Sequence, residues 1–115
     1  MPVIVRSCKV FNAEVLTSSG VATSQAIPID AAESLALHLT GIDGVSPDVS
    51  FTYTLSADGS TFIAPQSPVT IGANKSAADI MDFAPECARE IKILATNNVT
   101  TNVTLTAYLC VQDLS

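Results

Sequence analysis

Apolar and polar residues alternate strictly in several stretches of the chain, the period-two pattern of strands that bury one face and wet the other. In DVSFTYTLSADGSTF, residues 48–62, Val49, Phe51, Tyr53 and Leu55 alternate with Ser50, Thr52, Thr54 and Ser56. Asp58-Gly59 follows at once and supplies the positive backbone angles of a tight hairpin, with residues 60–63 predicted as the returning strand. Residues 34–42 place Leu35, Leu37 and Leu39 opposite Ala36, His38 and Thr40, a core strand expected to run antiparallel to the one after it. Residues 89–96 alternate around Ile91, Ile93 and Ala95. Residues 102–111 alternate Val103, Leu105, Ala107, Leu109 and Val111 with Thr104, Thr106, Tyr108 and Cys110. Between these last two, residues 97–101 predict a hairpin loop that pairs sequence neighbours.

The remaining segments are weaker. Residues 3–11 are rich in β-branched residues and predict a first strand, residues 12–20 a polar turn region with room for a little strand around Val15 and Leu16, and residues 21–29 an edge segment because Pro28 cannot donate to a ladder. Residues 64–68 hold two prolines and predict irregular chain, residues 69–71 a brief pairing, and Gly72 to Lys75 a turn. Residues 76–83 mix a helix-start signal with strand character, and Pro85 ends either. An extended segment is expected there. Seven to eight short strands at spacings of 8 to 15 residues predict an all-β fold, an antiparallel β-sandwich of jelly-roll or Ig-like type, as one domain over residues 1–115.

Composition narrows what such a sandwich does. Hydrophobic residues make up 48% of the 115 and charged residues 14%, and mean hydropathy is +0.42, so part of the surface is expected to be covered by a partner. Five Lys and Arg against eleven Asp and Glu give a net charge of −6, which sets nucleic acid aside as a partner because phosphate binding needs clustered cations. No stretch reads as a secretory leader or a membrane span, so synthesis in the cytoplasm and no membrane partner are expected. Cys8, Cys87 and Cys110 lack metal-ligand spacing and are expected as free thiols.

Candidate chemistry is sparse. His38 is the single histidine, opposite three leucines, with no relay partner in sequence. No G-x-S-x-G elbow surrounds any serine. Asp43, Asp48 and Asp58 fall in predicted loops, where carboxylates hold calcium or simply cap turns, and the calcium-loop spacing is absent. The triplets at Asn74, Asn98 and Asn102 match the glycosylation acceptor but are expected unmodified. Cys87 is expected as a half-buried small apolar residue rather than a reactive thiol. No catalytic residue, cofactor or metal is expected.

The run LALHLTGIDGVSPDVSFTYTLSADGSTF, a proline-bounded segment, and then REIKILATNNVTTNVTLTAYL resemble the small β-sandwich structural proteins of tailed bacteriophage virions, such as head decoration and tail or neck accessory proteins. The resemblance implies a non-enzymatic virion component, above all a capsid decoration protein that binds assembled capsid and stabilises it. It implies a homo-oligomer, a trimer, on a major capsid or other virion protein. The loop tip Asp58, Gly59, Ser60, Thr61 and Phe62 is the expected partner contact, with the threonines of the last strand or the edge at residues 21–29 joining subunits. The alternatives are a tail or neck accessory protein and a carbohydrate- or host-binding module. The S-x-D-G-x-x-F hairpin at Ser56 to Phe62 is also similar to discoidin-like modules, and Tyr53, Tyr108 and Phe62 are the plausible aromatic supply.

Overall fold

The computed structural model describes residues 3–30, 32–65 and 70–114. Among these there are nine strands: β1 (Val3–Leu16), β2 (Val21–Thr23), β3 (Ile27–Pro28), β4 (Ala32–Gly44), β5 (Val49–Ser56), β6 (Gly72–Lys75), β7 (Asp79–Phe83), β8 (Glu90–Asn97) and β9 (Val103–Leu114). They form a β-sandwich. The first sheet has the order β1-β9-β4-β7 and the second β2-β8-β5-β6, with β3 also on β8. All pairings are antiparallel.

This order decides between the two expected types. The chain crosses from one sheet to the other after β1, β3, β4, β6, β7 and β8, and its first and last strands lie side by side in one sheet. That is a jelly roll, in which two Greek keys wrap together. β2 and β3 are two pieces of one edge strand, pairing with successive parts of β8. Ser24 bridges the gap between them: its N–H donates to the Ile93 carbonyl at 2.8 Å, and its buried hydroxyl accepts the Ile93 N–H at 2.9 Å. Merging the two pieces leaves eight jelly-roll strands, of which β1, β4 and β9 run 14, 13 and 12 residues rather than short.

The alternating patterns sort faces as expected. Leu37, Phe51, Ile91, Ile93, Val103, Leu105, Leu109 and Val111 are fully buried between the sheets, and each large apolar side chain so buried contributes about 2 kcal/mol. Pairing partners are a different matter. β4 and β5 lie in opposite sheets, as do β8 and β9, so neither of the two expected sequence-neighbour pairings forms. β5 pairs instead with β8 along its whole length, and β9 lies between β1 and β4.

Three local expectations are corrected. β1 runs on to Leu16 through the segment read as a turn, because two register shifts let it keep step with β9. Ala13 takes a left-handed backbone there, φ 48°, and donates its N–H to the Thr106 hydroxyl. Gly72 to Lys75 is β6, not a turn. A Cβ on Gly72 would stand 2.2 Å from the Met81 sulfur, so glycine is what lets β6 and β7 close over the core. Residues 60–63 form no strand. A single bridge joins Leu55 to Ile63, and residues between them make a loop. The brief pairing expected at residues 69–71 lies partly outside the described residues; Ile71 donates its N–H to the Phe51 carbonyl. The extended reading of residues 76–83 holds as β7.

Candidate functional site

The loop after β5 is built on one carboxylate. Asp58 Oδ1 accepts the Thr61 and Ser60 N–H groups, each at 2.8 Å, and the Ser56 hydroxyl at 2.9 Å. Ser56 Oγ in turn accepts the Gly59 N–H at 2.8 Å. Gly59 sits at φ 81°, the left-handed region where a side chain is strained. Donors converging on the charged form favour it, and the backbone N–H groups of Thr61 and Ser60, then the Ser56 hydroxyl, bring Asp58 down to about 2. The carboxylate therefore serves the loop's own backbone. Ser60 and Thr61 are exposed, but Phe62 folds back half-buried, its ring 4.3 Å from Lys92 Nζ.

The neighbouring loop is tied to the same end. Tyr53 is buried and donates its hydroxyl to Glu86 Oε1 at 2.7 Å. Burial first, and the Glu86 hydrogen bond second, push the phenol up to about 12. Cys87 beside it is exposed rather than half-buried. It lines a shallow cleft with Leu55, Ile63, Pro65 and Ala88.

The other candidates are kept apart. Asp43 lies within β4 rather than in a loop, paired opposite Thr104, and Asp48 and Asp58 flank opposite ends of β5, so the three aspartates do not share one loop. Among the described residues no group of three or more His, Cys, Asp or Glu gathers. His38 lies half-buried on the outer face of the first sheet, between Tyr108 on β9 and Ile80 on β7. Lys9 continues that rung, its Nζ 5.3 Å from the Tyr108 ring centre. All three cysteines are free. Cys8 packs against the core and Cys110 reaches the Ser7 hydroxyl on the outer face, so the sheet separates them. Asn98 Nδ2 is engaged by Asp48 Oδ1 and Ser50 Oγ.

Two residues that the sequence did not single out organise the molecule. Asn97 is buried at the far end of the sandwich from Asp58. Its Nδ2 donates to the carbonyls of Leu16, Thr17 and Thr101 at 3.2, 2.9 and 2.9 Å, and its Oδ1 accepts the Val99 N–H at 3.0 Å. One amide thus joins the loops after β1 and β8. Arg6 Nε pairs with Asp113 at 2.6 Å, and its guanidinium also donates to the Pro28 carbonyl, tying β1 to the edge of the other sheet. Asn97 carried only its break-residue signal in sequence, and Arg6 none.

No family profile and no curated protein matches the sequence. Solved structures do match the fold. The chain is similar to VP2 of infectious bursal disease virus in its subviral particle, with a TM-score of 0.63 and 14% identity over 96% of this chain and 32% of VP2. The Gt strain of that virus gives 0.64 at 14% identity over the same shares. The SPBc2 prophage-derived protein YomS gives 0.59 at 14% identity, over 98% of this chain and 96% of its own. The chain spans about one third of the length of the viral protein and nearly all of YomS. At such identity the likeness is one of fold.

Proposed function

We propose that this chain is a non-enzymatic structural protein of a virion, a decoration protein that binds the assembled capsid and stabilises it. The observation that carries the reading is the jelly roll itself, shared over nearly the whole chain with a virus-particle protein and with a prophage-derived protein of the same extent. YomS is matched over nearly its whole length, whereas only about a third of VP2 is matched, which supports a small unit added to a particle rather than the shell itself. Low charge and exposed valines and isoleucines on a folded sandwich fit a surface meant to be covered. The chain acts as a homo-oligomer, a trimer, against a major capsid protein, and the Asp58 to Phe62 loop meets that partner through Ser60 and Thr61.

A glycan-binding role is less well supplied. Tyr53 is buried, Phe62 lies against Lys92 and Tyr108 against Lys9, which leaves no bare ring for a sugar to stack on among these three. The test is sedimentation of the purified chain with capsids, and separately with tails, of the phage that carries its gene. Saturable binding to capsids with raised heat resistance is expected. Binding to tails alone would turn the reading toward a tail or neck accessory, and binding to neither would overturn it.

A further inference from the structure

We infer that copies of this chain join side by side, the β1–β2 side of one against the β6–β7 side of the next. The inference supplies the contact for the homo-oligomer proposed above and rests on that reading for the number of copies. Its basis is how exposed groups are distributed. Six large apolar side chains are exposed among the described residues, and four lie on the two lateral sides of the sandwich: Val5 and Val15 on β1 and Val21 on β2, against Ile80 on β7. β1, β2, β6 and β7 are also the edge strands, whose outer backbone groups have no neighbour in the sheet.

Charge supports a head-to-tail contact between unlike sides. Among the described residues the ion pairs are Arg6 with Asp113 and Lys75 with Asp79. Lys9 and Asp82 are exposed and belong to neither. They stand at opposite edges of the first sheet on successive outward-facing rungs, since Lys9, Tyr108, His38 and Ile80 form one such rung and Ser7, Cys110, Ala36 and Asp82 the next, with the inward-facing rung of Cys8, Leu109, Leu37 and Met81 between them.

β1 and β7 run in opposite directions, because three antiparallel pairings separate them. Placing one beside the other therefore continues the alternation of the sheet, with Lys9 level with Ile80 of the next copy and diagonal to its Asp82. Such a diagonal spans roughly 7–8 Å between backbones, within reach of a lysine. A two-fold contact between β7 sides would bring the unpaired Asp82 of each copy into one contact, which like charge opposes. Gln25 Nε2 already holds the Lys9 carbonyl at 3.2 Å, so the contact is made chiefly by side chains. The molecule measures 45 × 28 × 21 Å, and a side of 45 by 21 Å offers roughly 900 Å², close to the about 800 Å² per partner of a stable interface. A head-to-tail contact closes a ring when its rotation allows.

The test is charge exchange read by sedimentation velocity and mass photometry on the full chain. The parent is expected as a closed ring of three. Lys9→Glu and Asp82→Lys should each weaken association on the order of tenfold, and the double variant should restore it because opposite charges meet again. Unchanged near-ultraviolet circular dichroism and melting temperature show that each variant is folded, and Ser60→Ala, off both sides, should associate like the parent. A monomer at all concentrations, a two-fold dimer, or single variants that associate like the parent would overturn the inference. Capsid sedimentation reads the function separately. A ring that ignores capsids sinks the decoration role and leaves the contact standing; a monomer that binds them does the reverse.

Discussion

The two ends of the sandwich are held by single polar side chains that work over opposite ranges. At one end Asp58 bonds to residues two and three positions away, in an exposed loop that organises itself. At the other, Asn97 is buried and reaches the carbonyls of Leu16 and Thr17, some eighty positions back, as well as Thr101. The first device shapes a loop without holding the fold together. The second holds the fold together, because it ties residues distant in sequence and the buried Leu16 carbonyl has little water to turn to if the amide is lost.

The comparison is tested hardest at Asn97. Asn97→Ala removes four hydrogen bonds at a buried position and should cost about 3 kcal/mol, read as a lower urea midpoint with an unchanged slope. A loss no larger than that of any Asp58 variant would erase the distinction between the ends. Tyr53→Phe should come next, at about 1 kcal/mol, since Glu86 is exposed and water replaces the phenol. Tyr53 also carries an alkaline signature. Its folded pKa is raised from 10.0 to about 12, so its contribution is complete below pH 10 and is lost as pH rises through 12. Denaturation across that window should show a decline in the parent that Tyr53→Phe lacks.

Gly59→Ala is smaller in reach and local in effect. A Cβ there meets a backbone at φ 81° and the Glu90 carboxylate at 2.8 Å, and the cost should be about 1 kcal/mol, with amide-exchange changes confined to residues near 59. Asp58→Asn should be the mildest. The folded carboxyl is lowered from 3.8 to about 2, so any stability it lends is present above pH 3.8 and fades as pH falls through 2. The amide resonances of Ser60 and Thr61 should titrate near pH 2 in the parent and stay still in the variant.

The same contrast explains what could be read from the chain. Strands β4, β5, β8 and β9 were legible because burying one face imposes alternation, and Asp58-Gly59 was legible as turn chemistry because it acts on its own neighbours. Partners were not legible. Residues 97–101 have a hairpin's length and composition, yet they arch from one sheet to the other, and the feature that decides it is the hold of Asn97 on residues 16 and 17. β6 escaped notice for a similar reason. Gly72, Ala73 and Asn74 have turn composition, and only the pairing with β5 and the Met81 side chain over Gly72 make a strand of them. At the expected contact loop the residue types were clear, but the folding of Phe62 onto Lys92 depended on β8 lying beside it.

The place of β9 between β1 and β4 sets an order of events during synthesis. β9 is the last of these strands to leave the ribosome, and until it does nothing joins β1 to β4 in the first sheet. β1 must wait without its sheet partner, its buried face still wet, while β4 can already pair with β7 and β5 with β8. A nascent chain stalled before residue 103 should therefore be the aggregation-prone species, and release of the closing strand the step that commits the chain to its fold.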